Sequence, residues 1–311
     1  MSFRIQGLHH VTAIAGNAQR NVDFYTQVLG LRLVKKTVNF DDPSTYHFYF
    51  ANEQGEPGTI LTFFPWEGIV SGRRGPGQAT ETSFAVPADS FDFWIKRFEQ
   101  HNVTYNNPAQ RFDEEYLTFL DPDGLKLALV IPGQPDPRPA YVTPDISEAH
   151  AIRGFQNVAL TLHQHEATAR ILTDVFGYTL VDQQVNHYRY RTDAVPTAAT
   201  VDLVSVPGEP RGHVAGGSVH HVAFRVADEE AQLYFRDKVA KIGLSPTPQI
   251  DRDYFMSIYF REPGGVLFEI ATDPPGFTAD EPLEALGTGL KLPAMYESRR
   301  KEIEQALPPL T

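Results

Sequence analysis

Two pairs of adjacent histidines sit in nearly the same setting far apart in the chain: Gly7-Leu8-His9-His10-Val11-Thr12-Ala13-Ile14 and Ser218-Val219-His220-His221-Val222-Ala223-Phe224. A carboxylate stands in a similarly apolar run, Gly265-Val266-Leu267-Phe268-Glu269-Ile270-Ala271. Two imidazoles and one carboxylate are the donor set of a non-haem Fe(II) centre with open positions. Burying Glu269 between Phe268 and Ile270 is costly unless it is paired or coordinated, and a cation would resolve that cost. A lone strand histidine is more often a core residue bonded to a carbonyl. Two in matching register, with a carboxylate on the last strand of the same unit, favour a metal. The chain has no cysteine, so any metal must be held by imidazole and carboxylate.

The elements that carry these residues repeat. Leu8 to Ile14 alternates as a strand does. A helix follows, capped by Asn17 or Asn21, with Val22, Phe24, Tyr25, Val28 and Leu29 on its apolar face and Gly30 as its stop. Strand-like runs come next at 31–39, 46–51 and 59–64. The same order recurs from Glu81, from Gly154 and from Val219, with helices expected at 91–101, 167–176 and 228–242 and a strand at Val103-Thr104-Tyr105. The fold class is therefore α+β, four βαβββ modules paired into two domains. An N-terminal domain, 1–131, holds modules at about 7–66 and 80–131, and a Pro-rich linker, 132–151, follows. A C-terminal domain, 152–275, holds modules at about 154–207 and 218–272. The tail, 276–311, leaves the repeat and contains a short helix over 295–307.

Composition narrows the function classes. A chain of 311 residues with 41% apolar content can bury two ordinary cores. No apolar run approaches the roughly 18 residues of a membrane span, and Met1 to Gln6 lacks the layout of a signal peptide, so a cytoplasmic location is expected. The net charge of −12 argues against a nucleic-acid surface, which is basic. Small molecules are the expected partners, and a homo-oligomer remains open.

The fourfold repeat, the histidine strands and Phe268-Glu269-Ile270-Ala271 resemble the vicinal oxygen chelate superfamily (the glyoxalase/bleomycin resistance/extradiol dioxygenase fold). The resemblance extends to Val38-Asn39-Phe40-Asp41-Asp42, Phe63-Phe64-Pro65-Trp66 and Ile270-Ala271-Thr272-Asp273-Pro274-Pro275-Gly276-Phe277. It is closest to bacterial ring-cleaving dioxygenases of hydroquinones, a group that includes dichlorohydroquinone 1,2-dioxygenases. That resemblance implies an extradiol-type enzyme with Fe(II), or alternatively Mn(II), inserting both atoms of O₂ into a small aromatic diol. A catechol extradiol dioxygenase and a metal-free aromatic-binding protein are the alternatives.

The resemblance assigns His10, His221 and Glu269 to the metal. Placing His10, Ser83, Asn157 and His221 in register leaves modules two and three without a ligand histidine, and puts Ala128 and Thr62 where Glu269 stands in module four. The expectation is one mononuclear site shared by modules one and four. Glyoxalase-type isomerases supply a second carboxylate near the position of Thr62. Its absence here leaves room for an organic oxygen donor and dioxygen. The resemblance further implies that His9 and His220 bond the substrate, although strict alternation would place both behind the sheet. It turns Thr12 toward the cleft, and sets Arg252 and Tyr259 near the ring. Arg252 could instead pair with Asp251 or Asp253. His163 and His165, without a carboxylate partner, read as solvated or structural.

Overall fold

The computed structural model describes residues 3–311. Module one contributes β1 (Leu8–Ala15), β2 (Arg32–Val38), β3 (Tyr46–Ala51) and β4 (Ile60–Pro65). Module two contributes β5 (Gln78–Ala85), β6 (Ala109–Arg111), β7 (Glu114–Leu120) and β8 (Lys126–Ile131). Module three contributes β9 (Gly154–Leu162), β10 (Thr179–Gln184), β11 (His187–Arg191) and β12 (Thr200–Ser205). Module four contributes β13 (Ser218–Val226), β14 (Ile250–Asp251), β15 (Phe255–Arg261) and β16 (Leu267–Pro275). The α+β fold of four βαβββ modules is as the repeat implies.

The helices follow their local signals. Asn17 caps α1 (Ala18–Asp23), accepting from the Arg20 amide at 2.8 Å, and α1 runs on as a π turn, Phe24–Val28. Gly30 closes it at φ +66°, a conformation only glycine adopts freely. The helix of module two is α2 (Phe91–Gln100). That of module three is α3 (Glu166–Arg170), again continued by a π turn, Ile171–Val175. Asp228 caps α4 (Glu229–Lys241) through the Ala231 amide at 2.8 Å. One expected strand is misplaced: Val103-Thr104-Tyr105 gives only a bridge from Tyr105 to Phe119. The edge strand forms later, at β6, where Phe112 turns at φ +55° and folds it onto β7.

The modules pair crosswise. One sheet runs β14-β15-β16-β13-β1-β4-β3-β2, joining modules one and four, and the other runs β10-β11-β12-β9-β5-β8-β7-β6, joining two and three. Each sheet thus takes one module from either side of the Pro-rich segment, so the sheets do not follow the division at 132–151. Arg138 ties that segment down by donating to the carbonyls of Gly58 and Phe155, each at 2.8 Å. The core is one apolar cluster spanning both sheets, with a smaller cluster around Tyr49, Tyr254, Phe255 and Phe277 beneath the tail. The tail itself folds as a 3₁₀ turn, Ala294–Arg299, leading into α5 (Arg300–Ala306).

Candidate active site

At the centre of the first sheet β1 and β13 run antiparallel, and each carries one extra residue. Leu8 faces Phe224 but His10 faces Ala223, so His9 is the residue added on β1. Thr12 faces His221 but Ala13 faces Val219, so His220 is the residue added on β13. A bulge interrupts the alternation of a regular strand and re-aims its side chains. Each His pair therefore meets ring to ring: Nδ1 of His9 lies 2.9 Å from Nδ1 of His10, and Nδ1 of His220 lies 2.8 Å from Nδ1 of His221. Strict alternation, which would separate the members of each pair, does not hold here.

The bulges aim the far nitrogens of His10 and His221 at one point. Their Nε2 atoms are 3.2 Å apart, and Glu269 Oε2 lies 3.2 Å from the first and 2.9 Å from the second. Donors at neighbouring corners of an octahedron stand about 3.0 Å apart when the bonds are about 2.1 Å, so this triangle is the right size for one cation. Glu269 Oε1 accepts from the Ser257 hydroxyl at 2.6 Å, whereas Oε2 is buried and satisfies no hydrogen bond. Oε2 is thus the orphaned atom that a cation would complete. Among the described residues no other group of His, Asp and Glu converges in this way.

The electrostatics suit a cation. Burial opposes ionisation of Glu269, but the adjoining His10 and His221 more than offset it and hold the carboxyl well below the ordinary range. Burial lowers His221, against the pull of Glu269, and burial with His221 beside it pushes His220 down to about 3. Neutral imidazoles keep the lone pair that a metal requires. With Nε2 facing the metal point, hydrogen-bond counting puts the proton of each ligand on Nδ1, where it donates to His9 or His220. That contact fixes ring orientation and tautomer.

His10 and His221 line a cavity of about 360 Å³, and Glu269 is buried against them. Thr12, His220, Arg252 and Tyr259 line the same cavity, whereas His9 stands behind His10 with its ring against Phe255, 5.1 Å between centroids. Tyr259 faces Glu269 across the hairpin, and burial raises its phenol well above the usual range. The Arg252 guanidinium lies 5.3 Å from the Phe40 ring centre and 5.5 Å from that of Tyr259. Among the described residues no carboxylate lies within 4.0 Å of it, so pairing with Asp251 or Asp253 is not made. Phe64, Trp66 and Phe255 supply further aromatic wall.

Sequence reasoning missed three polar groups here: His47, Tyr49 and Ser257. Their signal is positional, because Tyr49 faces Thr62 as Tyr259 faces Glu269, and His47 and Ser257 each precede such a tyrosine by two residues. His163 and His165 lie outside the cavity, and the His165 ring stacks on Tyr188 at 3.6 Å.

The second sheet fills the same positions with other groups. Glu81 faces Ala159 as His10 faces Ala223, and Asp202 faces Ala159 as Glu269 faces Ala223. Asn157 faces Ser83 as His221 faces Thr12. Asn157, Ala128 and Thr62 thus hold the positions expected of them, but Ser83 matches Thr12, and Glu81 is the counterpart of His10. A bulge at Thr80 sets this register. Side-chain cations satisfy these carboxylates: Arg189 donates to both oxygens of Asp202 at 2.8 and 2.9 Å, and Arg111 and Lys126 each meet Glu81 at 2.7 Å.

The paired curled sheets and the donor triangle define a class, and the chain belongs to the glyoxalase/bleomycin resistance protein/dioxygenase superfamily, whose model matches residues 7–129 and 154–270. The resemblance read from the strands is borne out. MhqO of Bacillus subtilis, assigned as a ring-cleaving dioxygenase, is 47% identical over 99% of this chain and 98% of its own. A chlorohydroquinone/hydroquinone 1,2-dioxygenase of Sphingobium indicum is 35% identical over 96% of this chain and 95% of its own. The crystal structure of a Bacillus subtilis protein described as a dioxygenase superposes with a TM-score of 0.95 at 46% identity, covering 100% of this chain and 99% of that one. No helix among the described residues is long and apolar enough to cross a membrane.

Proposed function

We propose that this protein is an Fe(II)-dependent ring-cleaving dioxygenase that inserts both atoms of O₂ into a hydroquinone-type ring. The observation that carries the reading is the triangle of His10, His221 and Glu269, two of whose members line an aromatic-walled cavity. The likeness to a chlorohydroquinone/hydroquinone 1,2-dioxygenase supplies the ring class. Bound iron would supply the electron transfer that lets a diol react with dioxygen, and three protein donors leave positions open for both. Mn(II) would suit the same donors.

The protein's own part is positioning. Phe40, Phe64, Trp66 and Phe255 offer apolar walls that would clasp a ring and exclude water. Arg252 is always charged and would hold a phenolate oxygen with its fixed fork of donors. Tyr259 keeps its proton and donates it as a hydrogen bond. His220, whose Nδ1 accepts from His221, turns an Nε2–H toward the substrate.

The test is metal analysis of protein purified without oxygen, followed by oxygen uptake with hydroquinone, methylhydroquinone and catechol. Bound iron near one per chain and faster turnover of a hydroquinone are expected. Faster turnover of catechol than of every hydroquinone would reassign the ring class. Protein that binds aromatic diols but takes up no metal would remove the enzymatic reading.

A further inference from the structure

Four side chains of module one form a hydrogen-bonded row, three of them on the cavity wall and the fourth, Thr62, buried behind it. The Tyr49 hydroxyl meets His47 Nδ1 at 2.9 Å, His47 Nε2 meets Thr62 Oγ1 at 2.9 Å, and Thr62 Oγ1 meets Thr12 Oγ1 at 2.8 Å. None of the four is more than 8% exposed.

We propose that Tyr49, His47 and Thr62 act as a directed chain whose output is the Thr12 hydroxyl, held with its proton aimed at the substrate oxygen. The inference rests on the ring-cleaving reading and concerns positioning residues that act through Thr12.

Counting donors and acceptors sets the direction. A phenol has one proton, and burial keeps that of Tyr49 in place at neutral pH. Among the described residues the only polar partner of that hydroxyl is His47, because Tyr254, Phe255 and Phe277 surround its ring with aromatic faces and edges. Were His47 to donate to Tyr49, the phenolic hydrogen would be buried without an acceptor, an arrangement folded proteins avoid. Tyr49 therefore donates. A neutral imidazole that accepts at Nδ1 carries its hydrogen at Nε2, so His47 donates to Thr62. Thr62 has one proton and one remaining partner, and so donates to Thr12. Thr12 accepts, and its own proton has no acceptor in the protein. Thr12 lines the cavity together with His10 and His221.

The arrangement also gives Thr62 a purpose. It faces Thr12 in the register in which Glu269 faces Ala223, so module one places a hydrogen-bond relay where module four places a metal ligand. His47 bonds Thr62 as Ser257 bonds Glu269.

Thr62→Val exchanges a hydroxyl for a methyl at nearly constant volume, and Thr62→Ser restores the hydroxyl. In the iron-loaded chain Thr62→Val is expected to keep its iron and lose about 10–100-fold in kcat with hydroquinone, and Thr62→Ser to recover most of that rate. Thr12→Val is expected to lose about 10²–10³-fold. Adding Thr62→Val to Thr12→Val should then do little more, because the relay has lost its output. Full kcat in Thr62→Val, or a loss that multiplies in the double variant, would overturn the chain. A readout independent of turnover is nitrogen NMR of isotope-labelled histidine in the zinc-loaded chain. His47 is expected as the Nε2–H tautomer, and its Nδ1 resonance should move in Tyr49→Phe as it loses the phenol's hydrogen bond, whereas Nδ1–H in the unaltered chain would refute the direction. Wild-type protein that consumes no oxygen with any diol sinks the ring-cleaving reading and leaves the tautomer result standing on its own.

Discussion

Removing any one of His10, His221 and Glu269 leaves two donors and an unfilled corner of the triangle. Each alanine variant is expected to lose most bound iron while remaining folded, measured by metal content beside circular dichroism, since the core clusters do not depend on these three side chains. His9 belongs with them, although the family resemblance sets it near the substrate. Its Nδ1 accepts from the ligand His10, so His9→Phe is expected to weaken iron binding about 10–100-fold, as loss of a ligand's partner does. The cavity residues should behave oppositely. Arg252→Leu and Tyr259→Phe are expected to retain iron and slow oxygen uptake about 10²–10³-fold, each removing a hydrogen bond to developing charge, whereas His220→Phe also removes the partner of His221 and is expected to weaken iron binding as well. Iron loss in the Arg252 or Tyr259 variant would move that residue into the metal set.

The bulges and the tail are the elements that finish the site. Without the extra residue on β1 and on β13, the second histidine of each pair would lose the neighbouring ring that orients it. The tail is fastened to the sheet, behind Tyr49, through a fully buried lysine. Lys35 of β2 meets Asp280 and Glu281 and donates to the Phe277 carbonyl at 3.1 Å. Asp280 also accepts from the Tyr254 hydroxyl at 3.0 Å, and the Phe277 ring lies 5.1 Å from that of Tyr49. Lys35→Ala leaves the buried Glu281 without its cation and is expected to cost about 3–5 kcal/mol in denaturant unfolding. An unchanged midpoint would mean that the strap is held by its apolar contacts alone.

Crosswise pairing governs the molecule as a whole. Residues 1–151 expressed alone would lack β13 and β9, leaving β1 and β5 as long, apolar open edges. That fragment is expected to aggregate or stay unfolded, and to be rescued by co-expression with 152–311. A cooperative unfolding transition for the isolated fragment would show that the halves fold separately. Stability should also carry a pH signature from Asp121, which joins module two to module one by accepting from the Tyr25 hydroxyl at 3.0 Å. Burial raises its carboxyl to about 7 from 3.8. The folded chain thus holds this proton more tightly than the unfolded chain. The stability it contributes is complete below about pH 4 and is lost as pH rises through about 7. Subtracting the unfolding free energies of Asp121→Asn from wild type across that window should expose a slope totalling on the order of 4 kcal/mol. A flat difference would place the titration elsewhere.

The module order, the helix stops and the three side chains that converge were legible in the sequence because each is a local or repeated signal. Asn17 caps where an asparagine should, Gly30 ends its helix, and Glu269 in an apolar run declares a partner by the cost of burying it unpaired. The same reasoning misplaced Ser83, because module two has no histidine to anchor the comparison and only the pairing of Glu81 with Ala159 fixes its register. It could not see His47, since that histidine has no copy elsewhere in the chain and its partners, Tyr49 and Thr62, become polar neighbours only across β3 and β4. Strand partners are set by long-range closure, so tertiary structure decided that each sheet joins modules from opposite sides of the Pro-rich segment. It also decided that cations of the chain itself, Arg189, Arg111 and Lys126, satisfy Glu81 and Asp202 in the second sheet. Types and spacing determined which residues could hold a metal. The approach of three atoms from three strands to within 3.2 Å of one another depended on the register between those strands, which no local pattern encodes.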